Sequence, residues 1–225
     1  MALDTQLLKT ALKKYLAGVL VVGTLLFLPA GTLAWWQGWL LMGVLFVPMA
    51  TAGCIMMAKA PDLLRKRLSA NEEEREQRQV VALSALMFAT AFVVAGLGRR
   101  LGWLMLPSWA SWTAAVLFLA SYALYAEVMR ENAYLSRTVE VQEGQHVVSS
   151  GLYGIVRHPM YSSTVLLFLS MPLILGSIFA FLIMLCYVPI IVKRIRNEEK
   201  VLEKGLEGYR AYEKKVSWRL IPYIW

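Results

Sequence analysis

Polar residues in this chain fall into a few short blocks between long apolar stretches, and that spacing sets the number of elements. Tyr15 to Ala34, Trp35 to Ala58, Val80 to Gly98 and Trp109 to Met129 are apolar, and Tyr161 to Val192 is a fifth, longer stretch. About 20 helical residues cross the roughly 30 Å hydrocarbon core of a bilayer, so each of the first four predicts one spanning helix. The fifth is too long for one span and is interrupted by Gly176-Ser177, which predicts a helical hairpin. Each arm has about 16 residues and reaches about 24 Å, short of a full crossing. Pro172 and Pro189 predict kinks, tolerated in membrane helices whose neighbours satisfy the freed backbone groups. The expectation is an all-α integral membrane protein with about six segments in a single membrane domain. Residues 1–129 give four N-terminal spans, and residues 130–225 give a polar loop, the hairpin and a tail.

Two polar blocks lie between spans. Asn71 to Gln79 (NEEEREQRQ) is a solvated charge run joining spans two and three. In the block from Arg130 to Tyr161, Thr138 to Val148 alternates and turns at Glu143-Gly144, which predicts a small hairpin.

Composition supports the membrane reading. Of 225 residues, 58% are hydrophobic and 17% charged, with a mean hydropathy of +0.54, more apolar surface than one water-soluble core hides. The net charge of +8 does not imply nucleic acid, because the basic residues sit beside apolar runs as membrane-flanking charges do. Lys9, Lys13 and Lys14 lie in the N-terminal arm. Six more basic residues fall between Lys59 and Gln79, and nine in the tail from Lys193. The positive-inside rule places all three regions, with both termini, in the cytoplasm and leaves Arg99 and Arg100 outside. Trp35, Trp36, Trp39, Trp103, Trp109 and Trp112 then form an outer interfacial belt. No small-residue cleavage site follows the basic N-terminus, so the first span is expected to stay in the mature protein.

The string that carries chemistry is Gly151-Leu-Tyr-Gly-Ile-Val-Arg-His-Pro-Met-Tyr161. Pro159 keeps His158 extended and suits the first position of the next helix, which puts Arg157 and His158 at a helix N-terminus on the membrane surface. Such a site favours a carboxylate or other anion, to which Arg157 adds a charged fork. Equally, the string reads as a basic interfacial loop with His158 as a local cap. A second cluster, Lys193-Arg194-Ile-Arg196-Asn-Glu198-Glu199, places Arg194 and Glu198 at i and i+4 on one helix face. It is either a surface ion pair or a carboxylate facing a cationic ligand beside an arginine facing an anionic one. The intervening hairpin returns the chain to the same side, so the two clusters are expected to be neighbours.

Other chemistries lack their patterns. Gly96, Gly98 and Gly102 do not make GxGxxG, and no strand-helix alternation supports a doubly wound domain. His146 and His158 are the only histidines, Cys54 and Cys186 have no CxxC partner, and no HExxH occurs, so a metal centre is not expected. There is no GxSxG elbow, and no isolated charge lies mid-span.

The two clusters and the tail resemble the isoprenylcysteine carboxyl methyltransferase family, to which phospholipid N-methyltransferases are related. The resemblance lies in Val148-Ser-Ser-Gly-Leu-Tyr153, Arg157-His-Pro-Met-Tyr161, Glu198-Glu199 with Leu202, Gly208-Tyr209-Arg-Ala-Tyr212 and Val216-Ser-Trp-Arg-Leu-Ile-Pro222. That last segment is similar to bacterial and archaeal members, which implies a prokaryotic inner membrane. The resemblance implies a cytoplasmic S-adenosylmethionine pocket, with S-adenosylhomocysteine as product. Gln145, His146, Val147, Val148, Tyr153, His158, Pro159, Met160 and Tyr161 would line it, and Glu198 would complete it. Arg194 would be the substrate-facing arginine, Glu198 would share the catalytic site, and Arg157 would support it. Ser162, Ser163 and Lys204-Gly205-Leu206 depart from the usual family pattern.

Methyl transfer is an in-line displacement in which the nucleophile must lie within about 3 to 3.5 Å of the methyl carbon. A carboxylate or thiolate needs no base, whereas an amine must lose a proton. With only Glu198, Glu199 and His158 as candidate bases, the sequence favours a lipophilic or small-molecule acid or thiol acceptor reached from the bilayer. Phosphatidylethanolamine-type N-methylation and a non-catalytic scaffold or lipid-binding protein are the alternatives.

Overall fold

A computed structural model describes residues 4–69, 75–132, 134, 141 and 144–225, with the backbone alone at 66, 67, 69 and 75–80. Its helices are α1 (Thr5–Ala30), α2 (Trp36–Lys59), α3 (Pro61–Ser69), α4 (Arg75–Leu101), α5 (Ser108–Glu131), α6 (Pro159–Ile174), α7 (Ile178–Met184), α8 (Tyr187–Gly205) and α9 (Tyr209–Lys215). One 3₁₀ turn, Gly151–Gly154, precedes α6. Among the described residues the β structure is limited to an isolated bridge between Met105 and Ser177. Five helical stretches are long and apolar enough to cross a membrane, and α6 is a shorter apolar helix. This is an all-α integral membrane protein.

Its solvent can be read from which residues face outward. Leu20 and Leu28 of α1, Val47 of α2 and Leu86 of α4 are mostly exposed, and little of each spanning window is buried. A helix apolar on every face needs an apolar surrounding, which the bilayer supplies.

The chain packs as two compact units. One comprises 1–115 and 171–184, the other 116–170 and 185–225. In the first, α1 packs on α4 and α4 on α7. A Cβ at Gly96 would lie 2.6 Å from the Leu26 carbonyl oxygen and 3.0 Å from Pro29, so glycine allows the close approach of α4 to α1. The Asp4 carboxylate caps α1, accepting from the Gln6 and Leu7 amides at 3.1 Å, so the helix begins well before the apolar run does. Trp35 is not part of an interfacial belt. It is buried, edge-on to Phe27, while Trp36, Trp39, Trp103, Trp109 and Trp112 remain exposed.

In the second unit α6 and α8 run side by side, with Phe168 edge-on to Tyr187 and the Tyr187 hydroxyl donating to Thr164 at 3.3 Å. Pro172 sits in the last turn of α6 and kinks nothing mid-helix. Pro189 lies in the first turn of α8 and has no N–H to give the Leu185 carbonyl four residues back, next to the break between α7 and α8. Beyond Val192, α8 continues as a polar helix to Gly205. Of the predicted Thr138 to Val148 hairpin, residues 138–140 and 142–143 lie outside the described residues, and 141 and 144–148 form no strand; the start of the Asn71 to Gln79 run also lies outside them.

Candidate functional site

The site is assembled entirely within the second unit, from the end of α5, the loop before α6, the first turn of α6, the polar half of α8 and α9. Its loop is shaped locally. Gly151 has φ +52, and a Cβ there would lie 1.7 Å from Glu131 Oε1. That carboxylate instead accepts the Leu152 amide at 3.0 and 3.3 Å, tying the 3₁₀ turn to the end of α5. The next residue of α5's exit, Asn132, donates from Nδ2 to the Tyr153 hydroxyl at 2.9 Å. The Tyr212 hydroxyl donates to the Tyr153 carbonyl at 2.7 Å. Tyr153 is buried by these partners, and burial pushes its phenol up to about 12.

Pro159 opens α6 as its first residue, and the tail lies along the residues just before it. The amides of Arg157 and His158 donate to the carbonyls of Trp218 and Arg219 at 2.8 and 2.9 Å. The Ser162 hydroxyl donates to the Leu220 carbonyl at 2.6 Å. These bonds resolve the two readings of the Arg157-His158 pair. The anion facing Arg157 is the protein's own Glu199, whose Oε1 accepts from Arg157 Nε at 2.9 Å and Nη2 at 2.7 Å. The remaining Nη1 donates to the carbonyls of Val216 and Ser217. Arg157 is therefore a buried structural cation, not a free fork for a ligand.

Glu199, one residue past the predicted site carboxylate, is the hub of this arrangement. Besides Arg157, it meets His158 Nε2 at 3.2 Å through Oε1 and accepts from Arg219 Nε at 2.7 Å through Oε2. It lies beyond the apolar part of α8 and is 3% exposed. Burial alone would raise its pKa, but hydrogen bonds from His158, Arg219 and Arg157 outweigh burial and hold the carboxyl down at about 2. Nearby Glu213, 3.5 Å from Arg157, is shifted the other way, by burial and by the charges of Glu199 and Glu203.

Glu198 faces the opposite way, into a cavity. The Tyr161 hydroxyl donates to its Oε2 at 2.6 Å, and Arg194 Nε donates to that hydroxyl at 2.9 Å. Arg194 and Glu198 share a helix face as their spacing predicted, with the Tyr161 phenol bridging them. The cavity holds about 800 Å³ of space open to solvent. Gln145, His146, Val147, Val148, Tyr153, Arg157, His158, Met160, Tyr161 and Glu198 all line it. Two predicted residues do not: Pro159 is packed at the start of α6, and Arg194 stands behind the lining, donating to the Tyr161 hydroxyl.

Six further lining residues received no role from the sequence: Asn132, Tyr134, Leu202, Leu206, Tyr209 and Tyr212. Leu202 and Leu206 follow Glu198 at i+4 and i+8, and Tyr209 and Tyr212 are three apart on α9, so helical spacing could have assigned those four. Asn132 and Tyr134 carry no such pattern. Tyr134 packs edge-on to His146, with its hydroxyl 3.1 Å from Nδ1. The Tyr209 hydroxyl is buried with no hydrogen-bond partner among the described residues.

Two curated relatives are Delta(14)-sterol reductases. The TM7SF2 protein of Mus musculus is 31% identical over 91 residues, 39% of this chain and 22% of that protein. The protein of Methylotuvimicrobium alcaliphilum is 25% identical over 135 residues, 53% of this chain and 32% of that protein. The chain thus spans about a third or less of the length of these relatives. Residues 103–204, which contain the loop before α6, both hairpin arms and Glu198-Glu199, match the isoprenylcysteine carboxyl methyltransferase (ICMT) family, and over that stretch the family resemblance drawn from the sequence holds.

Proposed function

We propose that this chain is a membrane methyltransferase that takes its methyl group from S-adenosylmethionine and passes it to a lipophilic or membrane-delivered acceptor. The observation that carries this reading is the meeting of Tyr153, His158, Tyr161 and Glu198 around one cavity, from segments about forty residues apart in sequence.

The cavity's chemistry fits the cofactor. Aromatic and aliphatic walls from Tyr153, Val147, Leu202 and Leu206 suit an adenine ring. Glu198 Oε1 has no partner among the described residues and is available to a ribose diol or an ammonium. The unpartnered Tyr209 hydroxyl is a second polar atom that a ligand could satisfy. When bound, the cofactor supplies an activated methyl group on a sulfonium sulfur. The protein's task is then to place the acceptor in line with it and exclude water, and Arg194, fixed by Tyr161, supplies a cation beside the site to orient the acceptor.

The names of the two curated relatives favour a second reading, reduction of a sterol, for which a nicotinamide dinucleotide would be the common biological hydride donor. Both cofactors carry adenosine, so the aromatic walls do not separate them. A dinucleotide also brings a pyrophosphate that needs cations, and among the described residues the one arginine lining the cavity, Arg157, already has its donors on Glu199 and the tail, which favours the sulfonium cofactor.

Calorimetry on the detergent-solubilised protein tests the reading: S-adenosylhomocysteine is expected to bind, reduced dinucleotide is not, and Glu198→Ala is expected to abolish measurable binding. Unchanged affinity in that variant sinks the pocket assignment. Membranes incubated with methyl-labelled cofactor then report the acceptor class, since label in phospholipid headgroups would identify N-methylation instead.

A further inference from the structure

Glu199 and His158 form a carboxylate-histidine pair at the wall of the cavity, and the pair dictates where the imidazole carries its proton. A carboxylate held ionised only accepts hydrogen bonds, so the nitrogen that meets Glu199 Oε1 at 3.2 Å, His158 Nε2, must be an N–H donor. In the neutral ring this leaves Nδ1 as a lone-pair acceptor. Nδ1 has no partner among the described residues, and it is not sealed away as the Tyr209 hydroxyl is. His158 itself lines the cavity.

The ring is held on the sides away from Nδ1. Tyr161 packs against it with centroids 5.8 Å apart, and its amide is bonded to Arg219 of the tail. The charges around it are Glu199, shared with Arg157 and Arg219, then Glu213 near Arg157, and Glu198 across Tyr161. Three donors besides the imidazole already hold the Glu199 carboxylate in place, so it fixes the orientation of His158 without being free to swing to a ligand.

We propose that His158 is the proton acceptor of the site and that the methyl acceptor is a thiol. This rests on the methyltransferase reading above. A carboxylic acid is already ionised at neutral pH and would leave such a base idle. A primary ammonium holds its proton about two pKa units more tightly than a thiol does, so an imidazole takes the thiol's proton far more readily. In the balanced step the S–H proton passes to Nδ1, a sulfur lone pair forms the new bond to the methyl carbon, and the old carbon–sulfonium bond breaks with its electron pair staying on the cofactor sulfur. The products are a methyl thioether, S-adenosylhomocysteine and a protonated His158 that Glu199 stabilises until the proton leaves to solvent. Arg219 is a positioning residue, acting through Glu199.

The chain has only two histidines, so nitrogen NMR of the ¹⁵N-histidine-labelled protein in lipid nanodiscs reads the tautomer directly, with His146→Gln assigning the signals. The expected result is an Nε2–H, unprotonated-Nδ1 ring above its titration midpoint. An Nδ1–H ring overturns the proposal without recourse to activity. Turnover is then compared among 1-decanethiol, decanoate and decylamine. The thiol is expected to be methylated fastest, and His158→Gln to lower its kcat about 100-fold at saturating S-adenosylmethionine. Faster turnover of decanoate or decylamine, no turnover of the thiol, or an unchanged kcat in His158→Gln each overturns it. If the wild-type protein does not bind S-adenosylhomocysteine at all, it is the methyltransferase reading that fails.

Discussion

At the residue scale, adjacent glutamates on α8 have taken opposite tasks. Glu198 keeps an oxygen available toward a cavity, whereas Glu199 spends both on the protein's own cations. A buried carboxylate is costly unless fully paired, and removing one partner from such a cluster costs about 3–5 kcal/mol, so Glu199→Gln is expected to destabilise the protein by that order at neutral pH. Its pH dependence has a definite sign. The folded-state pKa lies below the ordinary 4.5, at about 2, so the stabilisation is present above 4.5 and is lost as pH falls toward 2. That shift corresponds to about 3 kcal/mol. Thermal unfolding of wild type and Glu199→Gln, followed from pH 6 to pH 2 in detergent, should show two curves converging between 4.5 and 2. Parallel curves would contradict the pairing.

At the scale of elements, what was legible in the sequence was what local chemistry fixes. The apolar runs gave the spans, Gly176 the turn of the hairpin, Pro159 the start of α6, and the i, i+4 spacing the shared face of Arg194 and Glu198. What stayed hidden depended on segments far apart in sequence. Whether Arg157 and His158 made an anion site or a basic interfacial loop stayed open because nothing local reveals that Glu199 and the tail carbonyls at 216–219 satisfy them. Trp35 read as interfacial from its place at a helix end, yet it packs against Phe27. The role of Glu131 was hidden too, because the carboxylate serves the 3₁₀ turn only through the absence of a side chain at Gly151. Gly151→Ala tests that link. Its methyl group would occupy the space of Glu131 Oε1, and positive φ disfavours alanine, so the turn that carries Tyr153 must shift. We expect S-adenosylhomocysteine affinity to fall about tenfold or more, in line with the roughly 1–3 kcal/mol of a strained residue, while the helical content by circular dichroism is unchanged. Unaltered affinity would mean that the turn does not position the cavity wall.

At the scale of the whole molecule, sidedness can be argued from parity and charge together. Four helices long enough to cross, α1, α2, α4 and α5, would, if each crosses once, bring the chain back to the face it left. The remaining apolar stretch turns at Gly176, so its two ends return to one face whether or not the 16-residue α6, about 24 Å long, crosses completely. Both termini are therefore expected on the face that carries Lys9, Lys13 and Lys14, the α3 region and the tail, which the positive-inside rule makes cytoplasmic. The candidate cavity, built from the loop before α6 and the polar half of α8, would then face the compartment where a water-soluble cofactor is made, while an apolar acceptor approaches through the lipid. Single cysteines at Thr5, Ser108 and Lys214, placed in a background lacking Cys54 and Cys186, test this with a membrane-impermeant maleimide on intact cells. Ser108→Cys should label from outside, and Thr5→Cys and Lys214→Cys only after permeabilisation. Labelling of Lys214→Cys from outside would put the cavity on the face away from the cofactor supply, and a cytoplasmic adenosylmethionine site would no longer be tenable.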